Sequence, residues 1–224
     1  MHLDGSTRRI GRSVGELAGS DSRCAVVVGE PGPMAFPIRP RTAADLAAVG
    51  ELLTATHHSD AYPVILLDDM AAWGAASDVV DAWVATDPDA GGQVVGHVVL
   101  TDAEPGDAAT DQWIEATGQR VDELVAVRRL VVHERAHRSG TGAALLATAV
   151  AAAGALGRRP VLDMADNLAA AARLYERAGF EHVGAYDLDL TEHLPVGTEG
   201  CERDSTVIHH LHVLTWIGPP PPSG

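Results

Sequence analysis

The chain reads as a mixed α/β domain with a parallel strand–helix–strand crossover in its second half. Three observations carry that reading. Hydrophobic residues make up 46% of the 224, enough for a sizeable core. Helical and strand periodicities alternate along residues 36–217. Finally, an apolar strand at Leu124–Val132 runs through a two-glycine turn into an Ala- and Leu-rich helix and on to a second strand at Val161–Met164. Parallel strands need a crossover of that kind.

The elements follow in order. Residues 1–33 are Ser- and Gly-rich and weakly periodic, so they read as a flexible extension, with Met34 as an alternative start. The domain proper is expected over 34–217 and a Pro-rich tail over 218–224. A short strand covers 36–39. Thr42-Ala-Ala-Asp45 resembles a capping box that opens a helix to about His57, with Leu46, Val49, Leu52 and Leu53 in helical period. A second helix is expected near Asp68–Trp73. Asp81–Thr86 and Gly92–Thr101 are β-branched runs flanking Asp-Pro-Asp-Ala-Gly-Gly, which predicts a hairpin. The polar stretch 102–121 is long for a loop and is expected to hold a helix at Gln112–Thr117. After the strand at 124–132, a helix spans about Gly140 to Leu156. Asp166 or Asn167 is expected to cap another that ends at Arg177. Strands at 180–190 and Thr206–Trp216 close the domain.

Composition narrows the function. All 16 basic residues are Arg, and the net charge is −15; such an acidic chain is not expected to neutralise nucleic-acid phosphates. No apolar run approaches the ~18 residues of a membrane span, and no secretory signal is visible. Cys24 and Cys201 lack metal-ligand spacing and read as reduced thiols of a cytoplasmic protein. The charge is also uneven. Sixteen acids and one base fall between Ala43 and Glu123, while nine arginines fall between Arg120 and Arg177. That division suits an enzyme joining a cationic substrate to an anionic cofactor, and equally suits plain surface solvation.

The chemistry is concentrated in Val131-Val-His-Glu-Arg-Ala-His-Arg-Ser-Gly-Thr-Gly142 and the Ala-Ala-Leu-Leu that follows. The first turn of a helix presents unpaired N–H groups and a partial positive charge. Gly140 and Gly142 have no Cβ, so a pyrophosphate can approach closely, and Arg138 adds a full charge. A tight turn that simply needs glycine is the competing reading. The loop lacks the Gly-Lys-Ser/Thr ending of a P-loop and the full dinucleotide fingerprint.

His137-Arg-Ser-Gly-Thr-Gly142 resembles the acetyl-CoA loop of the GNAT acyltransferase superfamily, Arg/Gln-x-x-Gly-x-Gly/Ala, with His in place of Arg or Gln. Asn167-Leu-Ala-Ala-Ala-Ala-Arg-Leu-Tyr-Glu-Arg-Ala-Gly-Phe180 resembles the family's final motif. Ile38-Arg-Pro and Val94-Val-Gly-His97 also resemble GNAT positions, so the likeness covers roughly Pro37 to Leu190. It implies a GNAT-like α/β (α+β) fold: a mixed, mostly antiparallel sheet with one splayed parallel strand pair and helices on both faces. Pantetheine would lie in the splay against the backbone of Leu130, Val131 and Val132. Arg138, Ser139, Gly140, Thr141, Gly142 and Ala143 would wrap the pyrophosphate, and Asn167 would touch the cofactor or else cap its helix. Acetyl-CoA is thus the implied co-substrate, with no metal expected. The implied partner is a small-molecule amine, not nucleic acid or membrane, and a homodimer is left open.

By the same resemblance, Tyr175 is the phenol that serves the departing thiolate, with a core tyrosine as the alternative. The strand position where many relatives carry a Glu is Ala126 here. Glu123 is taken as the substitute base, with Asp122, His133, His57, His58 and relayed water as alternatives. His210 and His212 share a strand face, which suits pocket lining better than a metal site. Trp113, within 102–121, is placed to overhang the acceptor. Transfer of acetyl to a primary amine of a small, cationic acceptor is the function expected. A domain that only binds or senses acyl-CoA is the rival, and thiol release over an amine panel separates the two.

Overall fold

The structure is a computed structural model that describes residues 36–60, 62–190 and 210–221, all within the unit Gly32–Gly224. The expected extension at 1–33 and both cysteines lie outside the described residues. Seven strands form one sheet: β1 (Ile38–Pro40), β2 (Val79–Asp87), β3 (Gln93–Asp102), β4 (Leu124–Val132), β5 (Arg159–Ala165), β6 (Glu181–Asp189) and β7 (His210–Ile217). Their order is β1-β2-β3-β4-β5-β7-β6. Every neighbouring pair is antiparallel except β4–β5. The helices are α1 (Leu46–Asp60), α2 (Met70–Ala75), α3 (Ala108–Thr117), α4 (Thr141–Ala155) and α5 (Ala169–Arg177).

Alternation along the strands decides which helix covers which face. On β2, Trp83 and Ala85 join the core beneath α4, whereas Val84 packs with Val49, Leu52 and Leu53 of α1. On β4, Val125 and Val127 face α4, while Leu124 and Ala126 meet Trp113 of α3. β3 is buried without a break from Val94 to Thr101, which is only stable if both faces are covered. Its hairpin partner β2 is reached through a turn containing Gly91 and Gly92.

The first helix is preceded by a single 3-10 turn, Ala43–Asp45. The Asp45 carboxylate there accepts the Thr42 N–H at 2.7 Å and a two-pronged bond from Arg39 at 2.8 and 2.6 Å. The Arg39 guanidinium holds that carboxyl well below the usual carboxylate range. The 102–121 stretch is more ordered than its polarity suggests. Its helix α3 is four residues longer at the N-terminus than expected, because the Asp107 carboxylate caps Thr110 N–H at 3.3 Å. Gln112 ties α3 to the sheet, donating to Ala185 O at 2.9 Å and accepting from the Thr215 hydroxyl at 2.7 Å.

Candidate active site

β4 and β5 pair only at Leu124↔Arg159, Val125↔Pro160 and Ala126↔Val161. Beyond Ala126 both strands continue but no longer bond to each other. The register of β3 against β4 slips between His97 and Val99, and Arg129 adopts φ 52°, so the free half of β4 bends at a bulge. The gap is a cleft of about 1040 Å³. Leu130, Val131, Val132, His137, Asn167 and Tyr175 line one part of it.

At the end of β4, the Arg138–Gly140 turn redirects the chain into α4. Both Arg138 and Gly140 have positive φ, 59° and 87°. Gly140 is the N-cap residue and offers no side chain to cap the helix; the Thr141 N–H donates to Ser139 Oγ at 3.3 Å, and the next N–H groups, of Gly142 and Ala143, are the ones open to ligand oxygens. The Ser139 hydroxyl donates to Ala136 O at 2.7 Å and lies 2.6 Å from the Thr141 hydroxyl, fixing the turn. His137, in the position the family gives to Arg or Gln, donates Nε2–H to Val132 O at 2.9 Å. One of the expected backbone contacts on β4 is therefore engaged within the chain itself.

Tyr175 packs its ring against Phe180 and Trp216, at centroid distances of 5.9 and 6.3 Å, and also lines the cleft. Burial raises its pKa, so the phenol keeps its proton. Asn167 lines the cleft too. The residue that caps α5 is Leu168, with no side-chain bond, so neither Asp166 nor Asn167 acts as the expected helix cap.

The opposite part of the cleft is polar, and sequence reasoning missed its principal residues. Arg128 donates to Asp163 Oδ1 at 3.2 Å and lies 3.9 Å from Asp107. The Tyr186 hydroxyl donates to the other Asp163 oxygen at 3.0 Å. Burial, with Asp163 beside it, raises the Tyr186 pKa. Tyr62, also on the cleft wall, is pushed up to about 12 by burial. The usable signal was there: Arg128, Arg129 and Asp163 are charges inside otherwise apolar strands.

The bases named from sequence lie elsewhere. Glu123 is exposed and accepts the Arg120 N–H at 2.8 Å; Asp122 pairs with the Arg120 side chain. His57 donates to Pro63 O at 2.7 Å, and His133 accepts from Arg135 N–H at 3.3 Å. None of these five, His58 included, lines the cleft. Trp113 is fully buried in the core and does not overhang the cleft, although Glu104 and Asp107 of the same stretch reach it. His212 pairs with Asp187 at 2.8 Å; His209 and the His210 side chain lie outside the described residues. Among the described residues no cluster of His, Cys, Asp and Glu could hold a metal ion, and no helix is long and apolar enough to cross a membrane.

Residues 78–182 match the family model described as an acetyltransferase (GNAT) domain. No curated protein matches the chain. Among solved structures, the fold is similar to the ribosomal-protein-S18-alanine N-acetyltransferase of Escherichia coli, at 15% identity, TM-score 0.57, and coverage of 84% of this chain and 96% of that one. It is similar to YncA of Salmonella typhimurium, solved with its cofactor acetyl-CoA: 19% identity, TM-score 0.55, coverage 84% and 95%. The ribosomal-protein-alanine N-acetyltransferase of Brucella melitensis aligns at 22% identity, TM-score 0.54, coverage 81% and 98%. At these identities the structural likeness speaks for the fold, and the matched domain speaks for the family. Residues 78–182 thus carry an acetyltransferase (GNAT) domain, and the fold around them is that of the GNAT N-acetyltransferases it resembles.

Proposed function

We propose that the chain moves an acetyl group from acetyl-CoA to a primary amine of a small, cationic acceptor. The observation that carries this reading is the loss of β4–β5 pairing after Ala126, which opens a cleft reaching from His137, beside the glycine turn, to Asp78, Glu104 and Asp107. The turn Arg138–Ala143 suits a pyrophosphate, and the backbone of Leu130 and Val131 suits the amide groups of pantetheine. Five acids line the cleft (Asp60, Asp78, Glu104, Asp107 and Asp163) against Arg128 and Arg129. That excess favours a cationic amine.

In the reaction, the unprotonated amine attacks the thioester carbonyl carbon. A C–N bond forms as the C–S bond breaks, the nitrogen gives up a proton, and the sulfur gains one. Tyr175 is suited to serve the sulfur, because burial keeps its phenol protonated and able to donate. Orientation of the two substrates supplies the rest.

The test is thiol release from acetyl-CoA over a panel of primary amines, with the acetylated product identified by mass spectrometry. Release above the hydrolysis background with cationic amines is expected. Calorimetry showing that acetyl-CoA binds while no amine is acetylated would overturn the reading.

A further inference from the structure

Arg129 is the most unusual charge in the cleft. A bulky residue at φ 52° sits in a sparsely populated region of backbone space, and such strain persists only where surrounding structure enforces it. Its guanidinium lies over the Trp73 ring, 4.5 Å from the centroid, and both residues line the cleft. Arg128 next to it is neutralised by Asp163 and Asp107. Arg129 has no such counterpart: among the described residues no carboxylate lies within ion-pair range of it, and its Nε and Nη1 are buried without a hydrogen-bond partner. The groups that act on it through space are Tyr62 and Asp78 on the favourable side, Arg128 and Arg41 on the other. A half-buried cation left in this state is costly unless something supplies charge and acceptors. A guanidinium's planar fork matches a carboxylate, and stacking on an aromatic ring fixes its orientation.

We infer that Arg129, oriented by Trp73, is a carboxylate-recognition site, and that the acceptor is an amino acid or small amino-acid derivative. This rests on the acetyl-transfer reading above and sharpens it. The acids of the cleft suit the ammonium end of such a molecule, and Arg129 suits its other end. A simple polyamine would leave Arg129 unpaired.

The experiment compares L-amino acids with their own amides, lysine with lysinamide and cadaverine among them, as acceptors for the full-length chain. The wild type is expected to prefer the acid by about tenfold or more in kcat/KM, the scale of one charge-assisted contact. Arg129→Met keeps the stem against Trp73 but removes the charge. It should raise KM for the acid by roughly 10–100-fold with no matching rise for the amide, so that the acid-over-amide preference is lost. Arg129→Lys should recover part of the preference and serves if the Met variant does not fold. Equal use of acid and amide by the wild type, or an unaltered preference in both variants, would overturn the inference. Calorimetry of N-acetyl-lysine against N-acetyl-lysinamide on coenzyme A-loaded protein asks the same question without turnover, and binding of neither also overturns it. Acetyl-CoA binding and acetylation of amines that lack a carboxylate, with amino acids refused, would sink this inference alone. Failure to bind acetyl-CoA or to acetylate any amine would sink the acetyl-transfer reading.

Discussion

Arg128 of β4 and Asp163 of β5 meet at 3.2 Å where their two strands have stopped pairing. Backbone hydrogen bonds no longer hold the sheet together there, so a side-chain pair spans the gap. Asp163 also accepts from Tyr186 at 3.0 Å, and roughly three quarters of each partner's side chain is shielded from solvent.

Asp163→Ala should therefore cost stability, by about 1–3 kcal/mol, because it leaves a half-buried guanidinium and a phenol without their acceptor. The exposed Arg120–Asp122 pair is the internal comparison. Asp122→Ala should cost no more than about 0.5 kcal/mol. Urea denaturation of the two variants side by side checks the ranking, and equal losses would show that the strand-spanning pair is no stronger than a surface one.

His97 sets an acid limit on the fold. It is fully buried on β3, and its Nε2 accepts from Arg41 Nη1 at 3.1 Å. Burial, with the Arg41 charge adding to it, lowers its pKa to about 3 from 6.5. Between those two values the unfolded chain takes up a proton that the native state refuses. Stability should then fall as pH drops from about 6.5 towards 3, by up to ~1.4 kcal/mol per pH unit. Asp45 acts lower: its folded pKa is depressed from 3.8, so its contribution is intact above 3.8 and lost below. The window from pH 6.5 to 4 therefore reports mainly on His97. His97→Gln keeps an acceptor for Arg41 and cannot titrate, so its stability curve should be flatter there. Parallel curves for variant and wild type would contradict this account.

How much of this was legible beforehand follows from what each feature depends on. The glycine turn and the sequence of elements are local: a helix start must open its N–H groups, and a crossover has a fixed reading order; Tyr175 was marked out by family likeness. The splay of β4 from β5 came only through family likeness, since no single strand records where pairing stops. Arg128, Arg129 and Asp163 escaped notice because a charge on a strand looks like a solvent-facing residue until the sheet divides around it. Glu123 stood out for its place in the chain, yet a 3-10 turn, Val121–Glu123, spends its carboxylate on the Arg120 N–H. The polar stretch around Trp113 suggests an exposed insert overhanging the acceptor, whereas α3 starts four residues earlier than expected and turns that ring into the core.

The two loop glycines should fail for different reasons. Gly140 sits at φ 87° with open space around it, so Gly140→Ala strains the backbone and should cost about 1 kcal/mol. A Cβ on Gly142 would lie 3.5 Å from Val132 Cγ2 and 3.7 Å from Leu174 Cδ2, ordinary contact that the fold tolerates. Gly142→Val adds two methyls beside the cleft wall. It should lower coenzyme A affinity by about tenfold or more while the melting temperature moves only a few degrees. Calorimetry giving unchanged affinity in a folded variant would remove the loop from the binding site.

Tyr175 supplies the sharpest mechanistic test. As the amine attacks, negative charge gathers on the sulfur, and a phenol within reach stabilises it chiefly in the transition state. The ring itself is a structural part, wedged between Phe180 and Trp216. Tyr175→Phe keeps that wedge and deletes only the donor, so folding and acetyl-CoA affinity should hardly change. Turnover should fall by roughly ten- to a thousand-fold, the range seen when one acid or one anion-stabilising donor is lost. The loss should fall on kcat more than on KM, since the ground-state thioester has little need of the donor. Steady-state kinetics with any accepted amine decides among three outcomes: a kcat loss makes the hydroxyl catalytic, an equal loss of cofactor affinity makes it a binding group, and unchanged kinetics leaves Tyr175 a packing residue.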